Sequence, residues 1–162
     1  MKSLQSLRGG LGALALLALA GPASAGTDQS QLTVTATVRS GCSLTGGSLA
    51  FGDYVSGQPN ALDAVGSIHF ANCPQAVVTF ELDGGTNGST ADRRMSSGAS
   101  KLRYQIYRNT TRTTVWGMGE EALKTQLLVP QSGQLEVYGR IPGGQVVPAG
   151  TYTDTVTITL TF

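Results

Sequence analysis

The sequence predicts an all-β fold in which two sheets pack face to face as a sandwich. Three observations carry that expectation. Apolar and polar residues alternate with period two through most of the chain, glycine and proline clusters punctuate the alternating runs, and there are two cysteines, Cys42 and Cys73, with no C-x-x-C pair. Period-two alternation puts the apolar side chains on one face of a pleated strand. Short runs of that kind, separated by turn residues, are the pattern of a sandwich.

The first residues are read differently. Lys2 and Arg8 precede an apolar run from Leu11 to Ala20, and Ala23-Ser24-Ala25 follows. A basic start, a short apolar core and an A-x-A site describe a secretory signal peptide. The run is too short to cross a hydrocarbon layer of about 30 Å as a helix. The expected organisation is a signal peptide at 1–25 and a mature start at Gly26. Losing Lys2 and Arg8 takes the formal charge from +1 to −1. A near-neutral chain with 13% charged residues carries no electrostatic footprint for nucleic acid, and no later run is long enough to insert in a membrane.

Export agrees with the cysteines. In an oxidising compartment an isolated pair reads as one disulfide, Cys42–Cys73. Zinc needs four ligands, and two cysteines with the single histidine, His69, fall short, so no metal and no cofactor is expected.

The strands follow in order. Across 27–39, Leu32, Val34, Ala36 and Val38 share one parity, with threonines at 33, 35 and 37 on the other. Leu49–Gly52 reads as a short strand, Gly66–Cys73 as a longer one, and Ala76–Leu82 sets Val78, Phe80 and Leu82 on one face before Asp83-Gly84-Gly85. The Gly/Ser-rich stretch Thr86–Ser100, with Arg93 and Arg94, reads as a loop. Leu102, Tyr104 and Ile106 alternate, as do Leu135, Val137, Gly139 and Ile141, while Glu120–Leu128 suggests two helical turns. The terminal run sets Val156, Ile158, Leu160 and Phe162 against threonines at 155, 157, 159 and 161. Seven or eight strands with one inter-strand disulfide and scarcely any helix form an immunoglobulin-like β-sandwich by pattern.

Catalytic chemistry finds little to work with. His69 sits inside an alternating strand, and Glu120-Glu121 are adjacent and therefore face opposite ways on a strand, so they make no facing pair for glycoside hydrolysis. The glycine pairs match neither the dinucleotide nor the phosphate-loop spacing. Trp116 reads as a packing residue, with sugar stacking as the alternative. No catalytic residue is assigned, and the expectation is a non-enzyme. What stands out instead is that 32–38 and 156–162 lack both proline and charge, the devices that keep sheet edges from pairing with other chains.

Several segments, in order, carry a resemblance. They are Phe51-Gly52-Asp53-Tyr54, Arg94-Met95, Leu102 to Arg108, Trp116-Gly117, Val137 to Pro142 and Gly150 to Val156. From about Cys42 to Phe162 the chain resembles the spore coat U domain proteins, which include the archaic (Csu-type) chaperone–usher pilins. The resemblance implies a sandwich lacking its last strand at 40–162 and an N-terminal donor-strand extension at 26–39, with Leu32, Val34, Ala36 and Val38 as plugs. It implies an acceptor groove beside Val156, Ile158, Leu160 and Phe162. It also implies a periplasmic pilus chaperone, an outer-membrane usher and neighbouring pilin subunits as partners, in a fibre serving adhesion and biofilm formation at the cell surface. Two readings stay open beside it. As an alternative, the segment before Cys42 is the domain's own first strand, giving a self-complete coat protein, and a carbohydrate-binding sandwich would use Trp116 or Tyr107.

Overall fold

A computed structural model describes residues 29–37 and 41–162, so the signal peptide expected at 1–25 and the plug Val38 lie outside the described residues. The chain divides into two units, 1–37 and 38–162. In the first, the described stretch 29–37 forms no strand, and Leu32 and Val34 are 88% and 82% exposed. The alternation in that stretch is real, but a strand exists only where a neighbour completes its ladder.

The second unit is all-β. Its strands are β1 Ser43–Ser48, β2 Leu62–Cys73, β3 Val77–Leu82, β4 Arg93–Ser97, β5 Ser100–Tyr107, β6 Leu123–Gln126, β7 Gln131–Ile141 and β8 Ile158–Thr161. They form a five-stranded sheet ordered β1-β2-β7-β5-β4 and a three-stranded sheet ordered β6-β3-β8. The inward parities of both sheets supply the core: Ile68 and Phe70 from β2, Val78, Phe80 and Leu82 from β3, Leu102, Tyr104 and Ile106 from β5, and Val137 and Ile141 from β7. Trp116 is fully buried, and its indole N–H donates to Phe80 O at 2.9 Å, which gives the ring its packing role. The disulfide Cys42–Cys73 is formed and ties the start of β1 to the end of its partner β2.

The structure corrects four local expectations. The stretch read as a loop at Thr86–Ser100 contains β4, whose polar residues are tolerated because β5 is the one strand it pairs with and it stands at the end of its sheet, bridged on its other side only at Ser96. The helical turns expected in Glu120–Leu128 are one short 3-10 turn, Gly119–Glu121, followed by β6, which β3 recruits by pairing. Leu49–Gly52 forms no strand; the neighbouring β1 takes the place beside β2, with a register shift between Leu44 and Gly46. In the terminal run only Ile158–Thr161 joins a ladder.

Candidate functional site

The terminal segment makes an unusual path. Thr153 exchanges two backbone hydrogen bonds with Ser96 of β4, at 2.8 and 3.0 Å, which places it at the edge of the five-stranded sheet. A few residues later, Ile158, Thr159, Leu160 and Thr161 pair with Leu82, Glu81, Phe80 and Thr79 of β3. The chain therefore crosses from one sheet to the other, and its second half pairs with β3 on one side only.

Two carboxylates fix this crossing. Asp83, at the end of β3, accepts hydrogen bonds from Thr157 N at 2.9 Å and Gly85 N at 2.8 Å, and its own N–H donates to Thr157 O. Asp154 accepts from the Tyr104 hydroxyl at 2.7 Å, from the Thr86 N–H and hydroxyl at 3.0 and 2.8 Å, and from the Asn87 amide at 3.1 Å. Partial burial pulls both acids upward, but the hydrogen bonds each accepts outweigh it and hold them below the ordinary carboxylate range. Burial, together with the Asp154 carboxylate it serves, pushes the Tyr104 phenol well above its ordinary value.

Arg93 locks the same corner. Its side chain is fully buried, and its guanidinium donates to Asp83 O, Leu82 O, Trp116 O and Gln105 Oε1, at 2.6–3.1 Å. A buried cation is tolerated only when its donors are satisfied; here carbonyl oxygens do most of that work, and burial lowers its pKa. Arg93 sits in the stretch read as a loop, so composition gave no sign that its charge would be interior.

Between the crossing segment and β1 lies a cleft of about 460 Å³. Its walls are Gly47, Ser48 and Leu49 on one side and Thr153, Asp154, Thr155, Val156 and Ile158 on the other; its floor is Ile68, Leu82, Ile106 and Val137, core residues of both sheets. β1 is the end strand of one sheet and β8 of the other, so the cleft lies where the sandwich has an edge of each sheet and, among the described residues, no strand between them. The absence of a side chain at Gly47 matters, since a Cβ there would lie 3.4 Å from Ile158 Cδ1 and 3.1 Å from Ser67 O. A second hollow of about 520 Å³ continues between 49–56 and 147–152.

Of the residues expected to line an acceptor groove, Val156 and Ile158 face the cleft. Leu160 packs against the core from β8, and Phe162 is 49% exposed and outside the cleft. Leu32, Val34 and Ala36 are exposed in the other unit. Phe51, Met95 and Tyr152 line the cleft without having been singled out as groove residues, although each lies in a segment that carried the family resemblance. His69 is exposed and contacts the Ser67 hydroxyl at 3.1 Å. Among the described residues there is no group of three or more His, Cys, Asp or Glu side chains that could hold a metal ion, and no helix long and apolar enough to cross a membrane.

Fold and cleft together define an all-β, disulfide-linked sandwich with a gap between its edge strands. A family model described as the Spore Coat Protein U domain matches residues 28–159, and the chain belongs to that family. Protein U of Myxococcus xanthus is 34% identical over 183 aligned positions that cover all of both chains. Among solved structures, the chain is similar to one in the crystal structure of the CsuC–CsuE chaperone–tip adhesion subunit pre-assembly complex from the archaic chaperone–usher Csu pili of Acinetobacter baumannii. That similarity stands at 22% identity and a TM-score of 0.47, covering 75% of this chain and 39% of that one. The chain thus spans about two fifths of the length of that relative.

Proposed function

We propose that this protein is a structural subunit of a surface fibre assembled by donor-strand exchange. One observation carries the reading: a cleft floored by core residues runs between two end strands, with no strand across it among the described residues of the sandwich, while a charge-free segment of matching alternation, Leu32 to Val38, precedes the domain in sequence. Strand addition would give the segment ladder hydrogen bonds to the free side of β8 and seat alternate side chains on the cleft floor. Burial of Leu32, Val34 and Val38 contributes about 1.5–3 kcal/mol each before ordering costs, and each ladder bond adds about 0.5–1.5 kcal/mol net. A head-to-tail contact of this kind does not close on itself and so propagates as a filament.

In this scheme the exported chain is held first by a periplasmic chaperone that lends a strand. At an outer-membrane usher the leading segment of the next subunit then takes over the cleft. The finished fibre serves adhesion and biofilm formation. The test is a protein from which residues 26–39 are removed. It should bind the chaperone and fail to polymerise; fibres from the shortened protein would reject the donor assignment.

A second reading has its own support in the full-length match to Protein U of Myxococcus xanthus, whose family is named for a spore coat. There the leading segment fills its own cleft, and the product is a self-complete coat protein. Soluble yield in the periplasm separates the two, since a self-complete protein accumulates as a monomer without any co-expressed chaperone.

A further inference from the structure

The corner that fastens the terminal crossing contains a chemically labile pair. The chain has four asparagines, and Asn87 is the one followed by glycine; the others precede Ala61, Cys73 and Thr110. An asparagine before glycine loses its side-chain ammonia readily, because a neighbour with no β-carbon lets its own backbone nitrogen swing onto the side-chain carbonyl. Asn87-Gly88 lies in the turn between β3 and β4, with Gly88 and Ser89 exposed and Asn87 half-buried. Among the described residues, no backbone carbonyl accepts a hydrogen bond from Gly88 N.

The fold requires both members of the pair. A Cβ at residue 88 would run into Asp92 O, where the turn closes on the Ser89–Asp92 bridge, so only glycine fits. At residue 87 one side chain has to donate inward and accept outward. Asn87 Nδ2 donates to Asp154 Oδ1 at 3.1 Å and to Thr86 Oγ1 at 3.0 Å, and its Oδ1 accepts from Lys101 Nζ at 2.6 Å. A carboxamide does both.

We infer that Asn87-Gly88 is a self-modifying site, whose conversion to aspartate or isoaspartate sets a second carboxylate against Asp154 and loosens the terminal crossing. Gly88 N gives up its proton to base and attacks Asn87 Cγ. The Cγ–Nδ2 bond breaks, the nitrogen takes up a proton, and ammonia leaves. Water then opens the five-membered imide at either of its carbonyls. The net change is hydrolysis of one amide to one acid and ammonia, with no oxidant or reductant. In the aspartate product the atom that donated to Asp154 becomes an anionic oxygen, and two carboxylates in contact oppose each other's ionisation. Lys101 stays with the other oxygen. Asp154 also accepts from Tyr104 and Thr86, so a displaced Asp154 gives up its hold on both. The isoaspartate product adds a methylene to the main chain at the point where Gly88 packs on Asp92. The inference stands on this corner alone and does not depend on the fibre reading.

The test ages the purified exported chain in mildly alkaline and mildly acidic buffer and follows its mass. A gain equal to the exchange of NH for O should appear, faster in alkali. Peptide mapping should place it at residue 87, with isoaspartate there labelled by an isoaspartate methyltransferase. No gain, or a gain at Asn60, Asn72 or Asn109 ahead of residue 87, overturns the site. The aged chain should also unfold at lower urea than the fresh one, a readout that needs no designed substitution. Asn87→Asp, made directly, should shift the unfolding equilibrium toward the unfolded state by about tenfold, the equivalent of one pKa unit of repulsion. Adding Asp154→Asn exchanges donor and acceptor across the contact and should recover most of that loss. Amide exchange in 153–157 should rise in the single variant and fall back in the double. An Asn87→Asp protein as stable as the parent, or a double variant weaker than the single, overturns the coupling to Asp154.

Discussion

Residues 32–38 and 156–162 are near copies in design: Leu-Thr-Val-Thr-Ala-Thr-Val against Val-Thr-Ile-Thr-Leu-Thr-Phe. Each has four apolar residues on one parity, three threonines on the other, and no charge. Their outcomes differ. The second run contributes β8, with Ile158 and Leu160 half-buried and paired to β3, whereas 29–37 is exposed and forms no strand. Alternation specifies a face. It does not specify a partner, and the difference between these segments is the presence of β3.

That contrast can be pressed in three ways. The strongest concerns Cys42, which opens the sandwich just after the leading segment. Replacing both cysteines by serine should lower the unfolding free energy by about 3–4 kcal/mol, as expected for freeing a closed loop of 31 residues, and leave amide exchange in 29–37 unchanged. Urea titration reads the first quantity. Next come matched truncations. Leu160→Ala should cost about 2 kcal/mol, because that side chain packs on the core. Val34→Ala should change the stability of the lone chain by less than about 0.5 kcal/mol while cutting multimer yield. Equal stability losses would show that the leading segment is already folded into its own domain.

The smallest effect is acid sensitivity. Asp83 and Asp154, which hold the terminal crossing, have folded-state pKa values below the ordinary 3.8. A depressed acid contributes stability that is present above the unfolded value and is lost as pH falls through the folded one, so the loss begins below about pH 4. The contribution is less than about 1 kcal/mol, since both carboxylates are partly solvated. Asp154→Asn should flatten the stability slope in that window, and exchange in 29–37 should not follow pH there.

The sequence made much of this frame legible. The period-two runs around Ile68, Val78–Leu82, Leu102–Ile106 and Leu135–Ile141 became β2, β3, β5 and β7, and the two cysteines paired. Each of those signals is local, an apolar face written along a single segment. What escaped was decided between segments. β4 is polar and reads as a loop in sequence, because an edge position and a buried guanidinium satisfied by Leu82, Asp83 and Trp116 carbonyls leave no apolar pattern. β6 carries a helical pattern in sequence, and only pairing with β3 makes it a strand. Val156 and Ile158, expected beside a groove, lie on one wall of the cleft; Leu49, Phe51, Met95 and Tyr152, which line both hollows, come from three stretches of chain, and no spacing rule joins them.

The crossing of 153–161 from β4 to β3 has a mechanical consequence. A pull on the chain's last residues along their own direction loads the bonds to β3 in shear, so they must fail together and not one after another. The tension continues past Asp154 and Thr153 into the other sheet, which stretches both layers before either parts. A body strapped this way resists force most along the axis of its final strand.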